Sequence, residues 1–81
     1  MEVSIPQYKG YFVFDWMEKF EISCSIDSSC VRIEANKEGL ISLARHLLEL
    51  AQDDVPQYVH FHLDDSNSLD DGSAELIISK R

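Results

Sequence analysis

Eighty-one residues carrying 44% hydrophobic content and a net charge of −8 describe a folded acidic chain with room for one core. It is too apolar for a disordered acidic tail and too short for a second domain or a deep catalytic cleft. The charge disfavours nucleic acid and anionic membrane as partners and favours basic ones.

Residues 1–20 hold six of the eight aromatics, Tyr8, Tyr11, Phe12, Phe14, Trp16 and Phe20, without a clean period. They are expected to close one edge of a sheet or to cover part of its polar face, because so small a domain needs its large apolar side chains for the core. A partner-binding patch of rings is the alternative. The first residues lack the basic start and apolar core of a signal peptide, no apolar run approaches the ~20 residues of a membrane span, and two cysteines are few for a secreted domain. A cytoplasmic location is expected.

Residues 21–27 alternate with period two, Ile22, Cys24 and Ile26 facing inward, and residues 30–35 do the same with Val31, Ile33 and Ala35. Asp27, Ser28 and Ser29 between them are turn residues, so the two strands form a hairpin. Cys24 and Cys30 then fall on opposite faces, which argues against a disulfide. Residues 37–52 read as a helix with Asn36 as N-cap and Glu38 in the first turn, ended by Asp53, Asp54 and Pro56. Leu40, Leu43, Ala44, Leu47, Leu48 and Ala51 make its predicted buried stripe; Glu38, Ser42, Arg45, His46, Glu49 and Gln52 make its predicted wet side. Residues 58–64 place Val59, Phe61 and Leu63 inward and Tyr58, His60 and His62 outward, and residues 74–79 place Leu76 and Ile78 inward. The intervening loop, residues 65–73, is the most polar stretch and the one expected to be most mobile.

This order predicts an α+β fold: a mainly antiparallel sheet of four or five strands with one amphipathic helix on its apolar face. Residues 1–81 are expected to form a single domain, with residues 1–20 as an aromatic segment and 21–80 as the core, present as a monomer or weak homodimer.

Chemistry-bearing patterns are few. His60 and His62 share one face of a strand, a spacing that zinc sites use, but a third ligand, Cys30 or a loop carboxylate, is not set by the sequence. Residues 64–75 have the length of a calcium-binding EF-hand loop, yet Leu69 stands where that loop needs glycine, and Ser66 and Ser68 replace carboxylates. Ser73 lacks a nucleophile-elbow context, and no glycine-rich phosphate loop is present. The reading is therefore of a protein that is not an enzyme and holds no cofactor or metal. A metal-binding domain using His60 and His62, or a small acidic structural or regulatory interaction module, is the alternative.

Charge is the most distinctive feature. No lysine or arginine occurs from His46 to Ser79, while eight of the 15 acidic residues do. A surface shaped only for solubility interleaves both signs, so Asp53, Asp54, Asp64, Asp65, Asp70, Asp71 and Glu75 are the predicted partner-binding residues.

From Val31 the pattern becomes specific: Val31 to Leu40 reads VRIEANKEGL, followed by Leu43-Ala44-Arg45-His46-Leu47-Leu48, Val59-His60-Phe61-His62-Leu63-Asp64 and Gly72-Ser73-Ala74-Glu75-Leu76-Ile77-Ile78. This run resembles the thirty-second family of small bacterial immunity proteins encoded beside polymorphic toxins. The resemblance implies a cognate protein toxin as partner, and the acidic face implies that the toxin is basic. Gly39 and residues 72–75 are the parts of the motif that core packing alone would not call for.

Overall fold

A computed structural model describes the whole chain, Met1–Arg81. Its elements run β1 (Ile22–Asp27), β2 (Cys30–Ala35), α1 (Lys37–Leu50), β3 (His60–Leu63) and β4 (Leu76–Ser79). The class is α+β, as the patterning predicts, with one difference in layout. The four strands form two antiparallel sheets of two strands each, β1–β2 and β3–β4, instead of one continuous sheet. What separates them is residues 64–75, which return along the outer edge of β1: Asp70 N–H donates to Ile22 O at 2.8 Å and Ala74 N–H to Cys24 O at 2.8 Å. The edge of β1 is thereby closed by a loop and has no room for a strand.

The β1–β2 hairpin pairs Cys24 with Ile33 and Ile26 with Val31, and Ser28 turns it at a left-handed φ of 56°. Cys24 is buried and Cys30 exposed, both as free thiols. Asn36 caps α1 as its type and position predict, its Oδ1 accepting from Gly39 N–H at 2.8 Å and also from Glu21 N–H at 2.9 Å. One residue thus ties the helix start to the hairpin.

Gly39 is a demand of packing, contrary to its sequence reading. A Cβ there would run into the Glu21 carbonyl oxygen and stand 2.8 Å from Ile22 Cγ1 and 3.1 Å from Ala35 Cβ, so α1 crosses the hairpin at a distance that only glycine allows.

The largest correction concerns the helix face. Ser42, His46 and Glu49, assigned to water, are buried, whereas Leu40, Leu47 and Leu48, assigned to the core, are 55%, 42% and 51% exposed. Ala44 and Ala51 are exposed as well. The cause lies in residues 6–17, which have no strand or helix of their own and lie along α1. An irregular backbone must find partners for its N–H groups wherever it leaves water. Met17 N–H donates to Ser42 Oγ at 2.9 Å, Val13 N–H to Glu49 Oε2 at 2.7 Å and Tyr8 N–H to Gln52 Oε1 at 3.0 Å. Ser42 and Glu49 of α1, with Gln52 just beyond its end, thus form a row of acceptors under the N-terminal segment. Its rings complete the cover: Phe14 and Trp16 meet the His46 ring edge-on at 4.9 and 4.3 Å, and Phe14 meets Phe61 of β3 at 5.5 Å.

The core that results contains Ile22, Cys24, Leu43, Leu50, Val55, Phe61, Leu63 and Leu69. Leu69 sits in the loop expected to be most mobile and pins it to the core. The predicted inward residues Ile26, Val31 and Ile33 are exposed, because α1 covers only the Ile22–Ala35 end of the hairpin.

Candidate partner-binding surface

The predicted acidic residues divide into two groups. Register places His60 opposite Ser79 and Leu63 opposite Leu76, so the 64–75 connection emerges from one end of the β3–β4 hairpin. Asp53 and Asp54 belong to the other end, where Tyr58 N–H bonds Lys80 O at 2.8 Å and Lys80 Nζ donates to Gln52 O. A four-residue strand, roughly 13 Å of chain, lies between. Asp64, Asp65, Asp70, Asp71 and Glu75 are brought together; Asp53 and Asp54 are not part of that group.

Within the connection the carboxylates have different duties. Asp64 Oδ1 accepts from Ser66 N–H at 2.9 Å and from Ser66 Oγ at 2.7 Å, and these bonds, led by the hydroxyl, hold its carboxyl below the usual range. Asp65 Oδ2 accepts from Gly72 N–H at 3.2 Å, where Gly72 turns at a φ of 82°. Ser73 Oγ accepts from Cys24 N–H at 3.2 Å. The Gly72-Ser73-Ala74 part of the sequence motif is therefore the clasp between loop and β1. Glu75 stands 3.2 Å from His62 Nδ1. Asp70 and Asp71 are exposed and open to a partner.

Two further carboxylates join this group, and the linear reading missed them. Glu21, Ser23 and Glu34 on the polar face of β1–β2 line a shallow depression of about 250 Å³ together with Asn36 and Asp70. The signal was present in the period-two pattern, which puts Ser23 opposite Glu34 on the outward face, but the approach of Asp70 depends on the loop returning to β1.

The two histidines of β3 adjoin this group through the His62–Glu75 contact. His60 and His62 have ring centroids 5.0 Å apart, with His60 Nδ1 3.1 Å from Tyr58 O, and no three His, Cys, Asp or Glu side chains stand close enough together to hold a metal ion. The largest cavity, about 380 Å³, lies between residues 1–4 and the Lys37, Ile41 and Arg45 side of α1. It contains no nucleophile held against a base. No helix is long and apolar enough to cross a membrane.

The acidic loop is thus hydrogen-bonded along the edge of β1 on a small α+β scaffold. A family model described as Immunity protein 32 matches residues 31–81. More than half of the chain is covered, and the chain belongs to the Immunity protein 32 family. Membership implies a cognate toxin as partner. No curated protein and no solved structure is matched.

Proposed function

We propose that this protein neutralises a basic toxin domain by covering it with the acidic surface formed by Asp64, Asp65, Asp70, Asp71 and Glu75, extended by Glu21 and Glu34, with Asp53 and Asp54 as an outlying pair. The observation that carries this reading is the 64–75 connection. It gathers five carboxylates without a lysine or arginine and is tied to β1 through Asp70, Ser73 and Ala74. A tied loop loses little conformational freedom on binding, so more of its interaction energy appears as affinity. An acidic face also steers a basic partner, raising association above the roughly 10⁵ to 10⁶ M⁻¹s⁻¹ of neutral pairs.

The test is binding kinetics against the toxin domain encoded by the neighbouring gene. Asp64 and Asp65 hold the loop together, so the informative variant is Asp70→Lys/Asp71→Lys, whose side chains are exposed. Association is expected to slow by about tenfold or more and to lose part of its salt dependence, while the fold is retained. Unchanged rate and salt dependence would reduce the acidic loop to solvated surface.

A further inference from the structure

Strand β2 is an open edge. Asn36 N–H bonds Glu21 O at 3.1 Å, and antiparallel pairs alternate between bonded and unbonded. Ser23 with Glu34 and Ser25 with Arg32 are therefore bonded pairs. Ile22 with Ala35, Cys24 with Ile33 and Ile26 with Val31 aim their backbone groups away from each other. On the β1 side those groups meet Asp70, Ser73 and Ala74. On the β2 side Val31, Ile33 and Ala35 present N–H and C=O groups without a neighbouring strand, and every residue of β2 except Ala35 is exposed. Unblunted edges of this kind recruit another strand.

The edge is bordered by aliphatic surface. Ile26, Val31 and Ile33 lie on the sheet face that α1 crosses, and they are 63%, 60% and 40% exposed. At about 100° of helix turn per residue, Leu40 and Leu47 project from the flank of α1 beside the Gly39–Leu43 contact line, and Leu48 lies further round. The N-terminal segment and the β3–β4 core occupy the opposite flank, so the leucine flank looks toward β2. Of the four charged residues of α1, only Lys37 falls on this side; Glu38 and Arg45 lie on the far side and Glu49 is buried.

We propose that the occupant of this edge is a second copy of the chain, pairing β2 with β2 antiparallel about a two-fold axis at Ile33, to give a four-stranded sheet with both helices on one face. The register selects itself. The outward backbone groups of Ile33 meet those of Ile33 in the second copy, and Val31 meets Ala35. Arg32 then stands directly opposite Glu34 twice, in the unbonded positions where side chains approach most closely. Within one chain these two side chains make only a loose pair at 3.5 Å, both more than two-thirds exposed. The leucine flanks of the two helices face each other above the new strand pair. Val31, Ile33, Leu40 and Leu47, the four that border the new strand pair, expose roughly 350 Å² per copy, within the range of a monomer's largest patch. Twice that area, with the paired backbone added, approaches the ~1,000 Å² at which specific interfaces begin.

Sedimentation of the full chain over a concentration series, with Arg32→Glu, Glu34→Arg and the double exchange, tests the pairing. The expected result is a wild-type dimer, weakening by about tenfold or more in each single variant, and recovery in the double exchange. Leu47→Lys, measured alongside with circular dichroism to report folding, should also dissociate the dimer. A wild-type chain that stays monomeric into the millimolar range overturns the proposal, as does a dimer indifferent to all three charge variants. A monomer whose Leu47→Lys form stays folded and loses the toxin would assign the same edge to the toxin instead, and would equally overturn it.

Discussion

His46 offers the sharpest check on how the N-terminal segment is docked. Its ring is 1% exposed, enclosed by Phe14, Trp16 and Phe61, and neither ring nitrogen has a hydrogen-bond partner. Burial, reinforced by the Arg45 charge and opposed by Asp15, lowers its pKa from 6.5 to about 4. The unfolded chain therefore binds a proton at this residue between these values and the folded chain does not. Stability due to His46 is complete above pH 6.5 and is lost as pH falls toward 4. At about 1.4 kcal/mol per pH unit the loss amounts to about 3 kcal/mol, a large part of the roughly 4 to 12 kcal/mol expected of a chain this long. Glu49 acts in the opposite sense. Its carboxyl is raised by burial, against the Val13 hydrogen bond and Arg45, so the folded state keeps a proton above pH 4.5 that the unfolded state has released. That contribution grows as pH falls toward 4.5 and offsets part of the loss. Replacing His46 by Phe removes the titration and leaves no unpartnered nitrogen. Urea unfolding followed by Trp16 fluorescence is expected to show the stability difference between His46→Phe and wild type widening by about 3 kcal/mol from above pH 6.5 down to pH 4. Parallel pH profiles for the two proteins would mean that the imidazole is solvated and that Phe14 and Trp16 do not cover it.

Three further substitutions test the packing. Leu43→Ala is expected to cost about 2 to 5 kcal/mol and Leu47→Ala about 1 kcal/mol or less, in denaturant titrations at concentrations low enough to keep chains apart; a loss at Leu47 as large as that at Leu43 would restore the helix face that the hydrophobic pattern predicted. Gly39→Ala is expected to destabilise by about 1 to 3 kcal/mol despite the better helix propensity of alanine, because the obstructing atom is the Glu21 carbonyl oxygen, which the hairpin holds in place. A gain in thermal midpoint would show that the hairpin and α1 are further apart than described.

Local order was legible in the sequence, and tertiary partnership was not. The β1–β2 hairpin, the Asn36 cap and the span of α1, which ends at Leu50 where 52 was expected, follow from turn chemistry, capping and period. Those signals concern neighbours within a few residues. The helix face was misread because α1 carries apolar residues over so wide an arc that hydropathy cannot say which part is covered. A polar face in water and a polar face that satisfies another segment's N–H groups also look alike in sequence. Ser42, Glu49 and Gln52 are of the second kind, and the hint lay in residues 1–20, aromatic yet without period. In the proposed binding surface, the lack of cations from His46 to Ser79 was visible. Its division at the two ends of β3–β4, and the arrival of Asp70 beside Glu21 and Glu34, depend on Leu69 drawing the loop into the core.

The two edges of one hairpin explain how the surfaces of this protein come to be sorted. Loop residues close the β1 edge, Asp70 and Ala74 donating their backbone N–H groups and Ser73 accepting at its hydroxyl oxygen, and because the same loop carries the carboxylates, closure brings acidity to that side. The β2 edge has no such loop; on the α1 side it is bordered by the apolar Val31, Ile33, Leu40 and Leu47, and on its other face by Arg32 and Glu34. The proposed associations therefore rest on different forces. Toxin binding through the acidic side weakens as salt screens it over a Debye length of about 8 Å at physiological ionic strength. Pairing through β2 depends on backbone hydrogen bonds and aliphatic contact, with two Arg32–Glu34 pairs fixing its register, and it also brings together two chains of net charge −8, whose repulsion salt relieves. A salt titration consequently separates the two interfaces without any substitution: the complex with a basic partner loosens, whereas in the proposed dimer the screening of the Arg32–Glu34 pairs is offset by relief of the net repulsion and its affinity changes far less.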